Sequence, residues 1–242
     1  FGLLLLFHFF LAGQSNYEFV PNGGQLHNKA LFKADVPSGA VFLEENGIKY
    51  SFYDPSFFNI IHEGGNPGDK IHFHAFKIEF VDALVPEVDL KRLNEGLINV
   101  FLGDDSNKWA EGLVGGSEVY YSNIYSKIDF RIYERGGSLK YDFIIHPGGR
   151  LSDIKLQFKG VDELFVSEGN LNMVTSLGTL IDSKPVSFQR GDDSIATRFI
   201  VEGNTVRFWV DNYNENEVLT IDPVLIFSTY SGSIANNFGF TA

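Results

Sequence analysis

His72 and His74 stand two residues apart in a run, residues 71–81, that reads as a β-strand. That spacing puts both imidazoles on one face. With a third ligand such as His62 or Asp69 they could hold zinc. Spacing fixes no third ligand, however, and imidazoles flanked by Phe73 and Phe76 also read as ordinary half-exposed strand residues. Two loops, Asp104-Asp105-Ser106-Asn107 and Asp192-Asp193-Ser194, are dense in oxygen donors, the ligands calcium takes. Neither has EF-hand spacing, and Asp and Asn are common turn residues. Asp129 and Asp142 form a third candidate, because paired carboxylates roughly 5–9 Å apart can hydrolyse glycosides. Both fall at polar positions of alternating strands, where solvation or a cross-strand partner, Arg131 or Lys140, accounts for them. The chain has no Gly-x-Ser-x-Gly elbow, no phosphate loop and no dinucleotide fingerprint. The residues therefore point away from a catalyst. No cofactor is expected unless calcium occupies an acidic loop.

The element that must position these groups is residues 121–149. Two β-rich runs flank Gly136-Gly137, and Pro147-Gly148-Gly149 stops the second. A Gly pair supplies the positive φ of a tight hairpin turn. Ile128, Phe130 and Ile132 alternate with Asp129 and Arg131, and Leu139, Tyr141 and Phe143 with Lys140 and Asp142. Each strand is thus expected to have one dry and one wet face. Upstream, residues 30–35, 40–43 and 48–53 read as an antiparallel meander with a Glu45-Asn46-Gly47 hairpin turn. The pattern dissolves over residues 54–70. Residues 83–96 are polar and mixed, with a short helix expected at 89–94, and residues 98–103 form a strand. Downstream, runs of about five residues recur with Gly turns, and residues 195–201 and 205–210 pair across Glu202-Gly203-Asn204. Trp109 and Trp209 are expected in the core. Tyr120, Tyr121 and Tyr125 either pack or line a carbohydrate face.

The chain has 242 residues, 44% hydrophobic and 15% aromatic, with 24 Phe against one Met, enough for a substantial core. A net charge of −12 repels phosphate, which argues against nucleic-acid binding. The absence of cysteine excludes disulfides, thiolate zinc sites and a Cys nucleophile. Residues 1–11 are almost wholly apolar, and Ala12-Gly13-Gln14-Ser15 follows. This reads as a secretory signal peptide cleaved after Ser15, lacking its basic start because the chain opens on Phe1. The run is too short to span a bilayer. Gln14 stands where a lipoprotein would carry Cys, so neither a transmembrane segment nor a lipid anchor is expected.

Leu139-Lys140-Tyr141-Asp142-Phe143 followed by Pro147-Gly148 resembles the signature of an uncharacterised bacterial extracellular domain that sits N-terminal to SBBP repeats, of seven-bladed β-propeller type. Asn22-Gly23-Gly24-Gln25 resembles its opening, residues 99–109 its Asn…Gly…Trp segment, and Ile128-Asp129 the pair before its hairpin. Lys184-Pro185-Val186-Ser187-Phe188-Gln189 is similar to a further motif, with Phe188 in place of the usual Tyr. Residues 221–230 resemble its exit, and residues 231–242 the start of a first SBBP repeat. The likeness covers nearly all of the chain after the signal. It implies a large secreted or surface protein, often of bacteria using type IX secretion, and it brings no catalytic residues. Asp193-Ser194-Ile195 also matches an O-glycosylation acceptor triplet of some such bacteria.

The expectation is an all-β antiparallel fold, sandwich-like, as one large domain or two packed subdomains. Residues 1–15 are signal, 16–223 the domain and 224–242 the start of the first propeller repeat. Its function would be that of a non-catalytic, secreted or cell-surface module that caps or orients the downstream propeller and binds a surface glycan or protein. The alternative is a carbohydrate-binding or carbohydrate-active module.

Overall fold

Alternation of apolar and polar residues makes strands, and strand dominates the computed structural model: among the described residues 63% are in strands against 4% in helix. The structure describes residues 17–57, 64, 70–190 and 194–226. Residues 1–15, expected as a signal, and His62, Asp69, Asp192, Asp193 and residues 227–242 lie outside the described residues.

A short β1 (Val20–Pro21) pairs with β2 (Ala30–Val36), and the expected meander runs on through β3 (Gly39–Glu44) and β4 (Gly47–Tyr53) to β5 (Phe73–Phe80). Two long strands follow, β6 (Glu87–Phe101) and β7 (Trp109–Tyr125), then the central hairpin of β8 (Ile128–Arg135) and β9 (Ser138–Ile145). Gly136 and Gly137, at φ 62° and 78°, turn that hairpin as expected. The remaining strands are β10 (Leu156–Lys159), β11 (Glu163–Ser167), β12 (Asn170–Thr175), β13 (Gly178–Asp182), β14 (Val186–Phe188), β15 (Ser194–Glu202), β16 (Thr205–Val210), β17 (Leu219–Asp222) and β18 (Val224–Ile226).

The pairings make one large antiparallel sheet that nearly closes into a barrel, with a small second sheet beside it. β10 lies between β5 and β16, which joins the meander to the β15–β16 hairpin. β15 pairs onward to β14, β14 to β17, and β17 to β9. The circuit closes where Phe19 and Gly116 exchange backbone hydrogen bonds of 2.8 and 3.1 Å. A Cβ at Gly116 would stand 2.6 Å from the Lys91 backbone carbonyl, so this position has no room for a side chain. The second sheet runs β11-β12-β13-β18 and joins β9.

One core fills the interior. The rings of Phe80, Phe130, Phe143 and Phe208 lie 5.0–5.8 Å apart in sequence of contact, and Tyr50 stacks on Phe76 at 4.7 Å. A buried Phe contributes about 1.5–3 kcal/mol, which is where the high Phe content is used.

Three expectations change. Residues 89–94 are strand, not helix. Leu90, Leu93 and Leu97 have helical spacing, but pairing with β7 prevails over it. Trp109 and Trp209 are on the surface: the Trp109 indole N–H donates to the Gly103 carbonyl at 3.0 Å, and the Arg198 guanidinium lies 4.2 Å over the Trp209 ring. The wet face of the central hairpin is not wet, since Asp129 and Asp142 are both buried.

Candidate functional site

The second face of the central hairpin is a polar network laid across strands. Register sets Tyr120, Arg131 and Asp142 side by side on β7, β8 and β9. Arg131 donates to Asp142 Oδ2 from Nε at 2.6 Å and Nη2 at 2.5 Å, and Tyr133 donates to Oδ1 at 3.3 Å. The guanidinium also lies 4.7 Å over the Tyr133 ring and 3.9 Å from Glu118, which pairs with Arg92 at 3.0 Å. Asp142 is 1% exposed beneath these partners. Burial raises its pKa against the pull of Arg131, and Asp142 in turn holds the guanidinium above its ordinary value although burial opposes this.

Asp129 is held as firmly. A bulge between Tyr121 and Tyr125 puts Asn123 at φ 54° and turns its N–H onto Asp129 Oδ1 at 2.8 Å. Tyr120 donates to Oδ2 at 2.7 Å and His146 Nε2 at 2.6 Å. Burial opposes the charge, but these donors outweigh it and hold the carboxyl below its ordinary value. Both hairpin carboxylates therefore spend their lone pairs on structural donors. Arg131 is the expected cross-strand partner of Asp142, whereas Lys140 goes elsewhere.

Lys140 belongs to a clasp around the exit of the chain. Its Nζ donates to Asp222 at 2.8 Å. Asp222 ends β17, Pro223 breaks the strand, and β18 then pairs with β9 on one side (Val224 with Lys140, Leu225 with Leu139) and β13 on the other (Leu225 with Asp182, Ile226 with Ile181). Beneath this joint the Tyr141 hydroxyl donates to Asp182 Oδ2 at 2.5 Å. Asp182 is buried, its other oxygen has no partner, and burial pushes its carboxyl up to about 7. Tyr141 and Tyr50 are raised well above the ordinary tyrosine value, first by burial and then by the Asp182 charge. The sequence carried a signal for Asp182, which stands two residues from Leu180 and so in the apolar phase of its strand.

The β6–β7 ribbon is the third feature. Leu93, Leu97, Phe101, Leu102 and Trp109 are all exposed on it, Leu97 at 70%. Its edges are held by Asn94 donating to Glu18 and by the Gly112 N–H on Asn99 Oδ1 at 2.8 Å.

The expected metal ligands are dispersed. His72 is exposed. His74 Nδ1 accepts from the Ser176 N–H at 3.2 Å, so Nε2 carries the proton and donates to the Gly160 carbonyl at 2.7 Å. Both nitrogens thus bind the β12–β13 turn and the end of β10. Asp105 caps the 3-10 turn Ser106–Lys108 by accepting from the Asn107 amide at 3.1 Å, and Asp104 beside it is exposed. Among the described residues no three His, Asp or Glu side chains come together as a metal would need, and no helix is long and apolar enough to cross a membrane.

No curated protein and no solved structure gives a significant match. A family model described as Domain of unknown function (DUF7948) matches residues 19–224, from the strand that closes the barrel to the first residue of the exit strand. On that coverage, this chain belongs to the domain of unknown function family DUF7948.

Proposed function

We propose that the chain is a non-catalytic structural and interaction module of a secreted or cell-surface protein, which orients whatever follows residue 226. The observation that carries this is the exit strand: β18 is inserted between β9 and β13 instead of leaving from an edge. A segment continuing from such a strand leaves in a fixed direction. The saturated carboxylates Asp129 and Asp142 favour a structural over a catalytic role. The exposed apolar side chains of the β6–β7 ribbon supply a surface of the kind that marks interaction sites. The following segment would be the first blade of an SBBP propeller, as the likeness of residues 231–242 suggests, and export would use the apolar leader at residues 1–15 within a type IX route.

The test is thermal unfolding of the protein with its natural continuation, against a chain ended after Pro223. Ending there removes β18, bares the edges of β9 and β13 and unmoors the second sheet. The expected result is a melting temperature lower by several degrees and exchange broadening of β11–β13 resonances. An unchanged transition would contradict the proposal.

A further inference from the structure

The β2–β3 turn, the end of β4 and the β12–β13 hairpin line a half-open cavity of about 450 Å³. Its walls are held by contacts that do not depend on a ligand. The Tyr53 N–H donates to the Ser38 carbonyl at 2.9 Å, Thr175 Oγ1 donates to the Gly178 carbonyl at 2.7 Å, and the His74 bridge pins Ser176 to β5. The volume lies within the range of small-molecule sites.

The lining has a definite chemistry. Phe52 and Leu180 form a buried apolar floor, and Tyr53, Pro37 and Leu177 give flat or aliphatic walls. Polar groups stand on the rim: Ser38, Ser176 and the carboxylate of Asp54. Ser38 has φ 56°, in the left-handed region where glycine is free of strain. The turn thus accepts a strained residue that brings a hydroxyl to the cavity. Asp54 accepts from the Ser56 amide at 2.9 Å, and the bonds from Ser56 hold its carboxyl below the ordinary value, so it is an anion at neutral pH. Among the described residues no Lys, Arg or His lines the cavity, and the whole chain carries a charge of −12.

These properties narrow the ligand. An anion meets a fixed carboxylate and no cation. A purely apolar molecule would cover the Asp54 carboxylate and the Ser38 hydroxyl without bonding them, at a cost of about 1–3 kcal/mol each, whereas the Ser176 hydroxyl already has His74 Nδ1 at 2.9 Å. A neutral polyol with an apolar ring face meets both demands: its C–H face lies on the aromatic and aliphatic walls, and its hydroxyls bond the carboxylate and the serines. We infer that this cavity is a binding site for a neutral saccharide unit, with Tyr53 as its aromatic platform and Asp54 as its hydroxyl acceptor. The inference does not rest on the orienting role of the exit strand.

The experiment uses the whole chain and neutral disaccharides (cellobiose, maltose, xylobiose and chitobiose), with glucuronate and trimethyl-lysine as charged comparators. Saturation-transfer NMR detects contact and calorimetry gives affinity. At least one disaccharide is expected to bind. Tyr53→Ala and Asp54→Asn should each weaken it by about tenfold, the size of one lost contact of this type. Leu177→Arg, a surface-turn change that fills the cavity, should abolish binding. Glu163→Gln, outside the cavity, should leave it unchanged, and circular dichroism verifies that each variant folds. Absence of binding by all four disaccharides overturns the inference. So does binding that survives both Leu177→Arg and Tyr53→Ala, or tighter binding of either charged comparator.

Discussion

The central hairpin and the β6–β7 ribbon are both long antiparallel pairs, and they meet at β7. In the hairpin, Ile128, Phe130, Leu139 and Phe143 are buried on one face while Asp142 is buried beneath Arg131 and Tyr133 on the other. In the ribbon, Leu93, Leu97 and Phe101 stand in solvent. Strand pairing is the same in both, so pairing alone does not decide burial. What differs is the cover: the hairpin has the meander's aromatics on one side and its own long polar side chains on the other, and the ribbon projects past both. The hairpin is therefore where stability resides, and the ribbon is free for contact.

The largest expected contrast is in side-chain truncation. Phe143→Ala should cost about 3–5 kcal/mol in denaturant unfolding. Leu97→Ala should stay within about 0.5 kcal/mol, as for a surface change. Comparable losses at the two sites would abolish the distinction.

Removing Asp142 is next. Asp142→Ala leaves the half-buried Arg131 guanidinium with only Glu118, 3.9 Å away, as an anion and should cost up to about 3–5 kcal/mol. A loss no larger than that of an exposed ion pair, about 0–1 kcal/mol, would mean the network is ornamental.

Asp182 gives a pH signature. Its folded carboxyl titrates near 7, above its unfolded value of 3.8. Between those values the folded state holds the proton that the unfolded state releases. Stability is therefore greatest at the acid end and falls as pH rises from about 4 to 7, by up to roughly 4 kcal/mol. Asp129 acts oppositely, since its lowered carboxyl contributes above the unfolded value and is lost on acidification. Asp182→Asn keeps an acceptor for Tyr141 and should flatten the decline between about pH 4 and 7, raising stability above pH 7 by about 2–4 kcal/mol. Denaturant midpoints across pH measure this; an unchanged slope would refute the assignment.

The smallest effect on stability, with the clearest effect on surface chemistry, belongs to Leu93→Ser with Leu97→Ser. Unfolding should move by less than about 1 kcal/mol, while binding of an apolar dye or a natural partner should fall. Unchanged dye binding would contradict the contact role proposed for the ribbon.

Much of the fold was legible in local chemistry. The Gly136-Gly137 turn, the Asn46-Gly47 turn and the alternation through residues 48–53 each name their own structure, because register is fixed by neighbours in sequence. Cover was not legible. Asp142 alternates with Tyr141 and Phe143 as a solvated residue would, and only Arg131 and Tyr133 folding over it make it buried. Trp109 and Trp209 look like core residues by type, yet a carbonyl and a guanidinium hold them at the surface. The strand at residues 89–94 was not legible because the pairing that fixes it comes from β7, up to about 30 residues on. The exit clasp needs β9, β13 and β18 together, so the sequence reading singled out neither Asp182 nor Asp222, although Asp182 shares the apolar phase of Leu180.

Hydrogen exchange of the intact chain tests the central claim most directly. If the exit is locked into the barrel, the amides of β18 and those of β9 facing it should exchange only through global unfolding, at one common free energy, while the β6 amides beyond Leu93 exchange far faster. Exchange of β18 at the rate of the ribbon would mean the exit strand is loosely held, and the orienting role would fall with it.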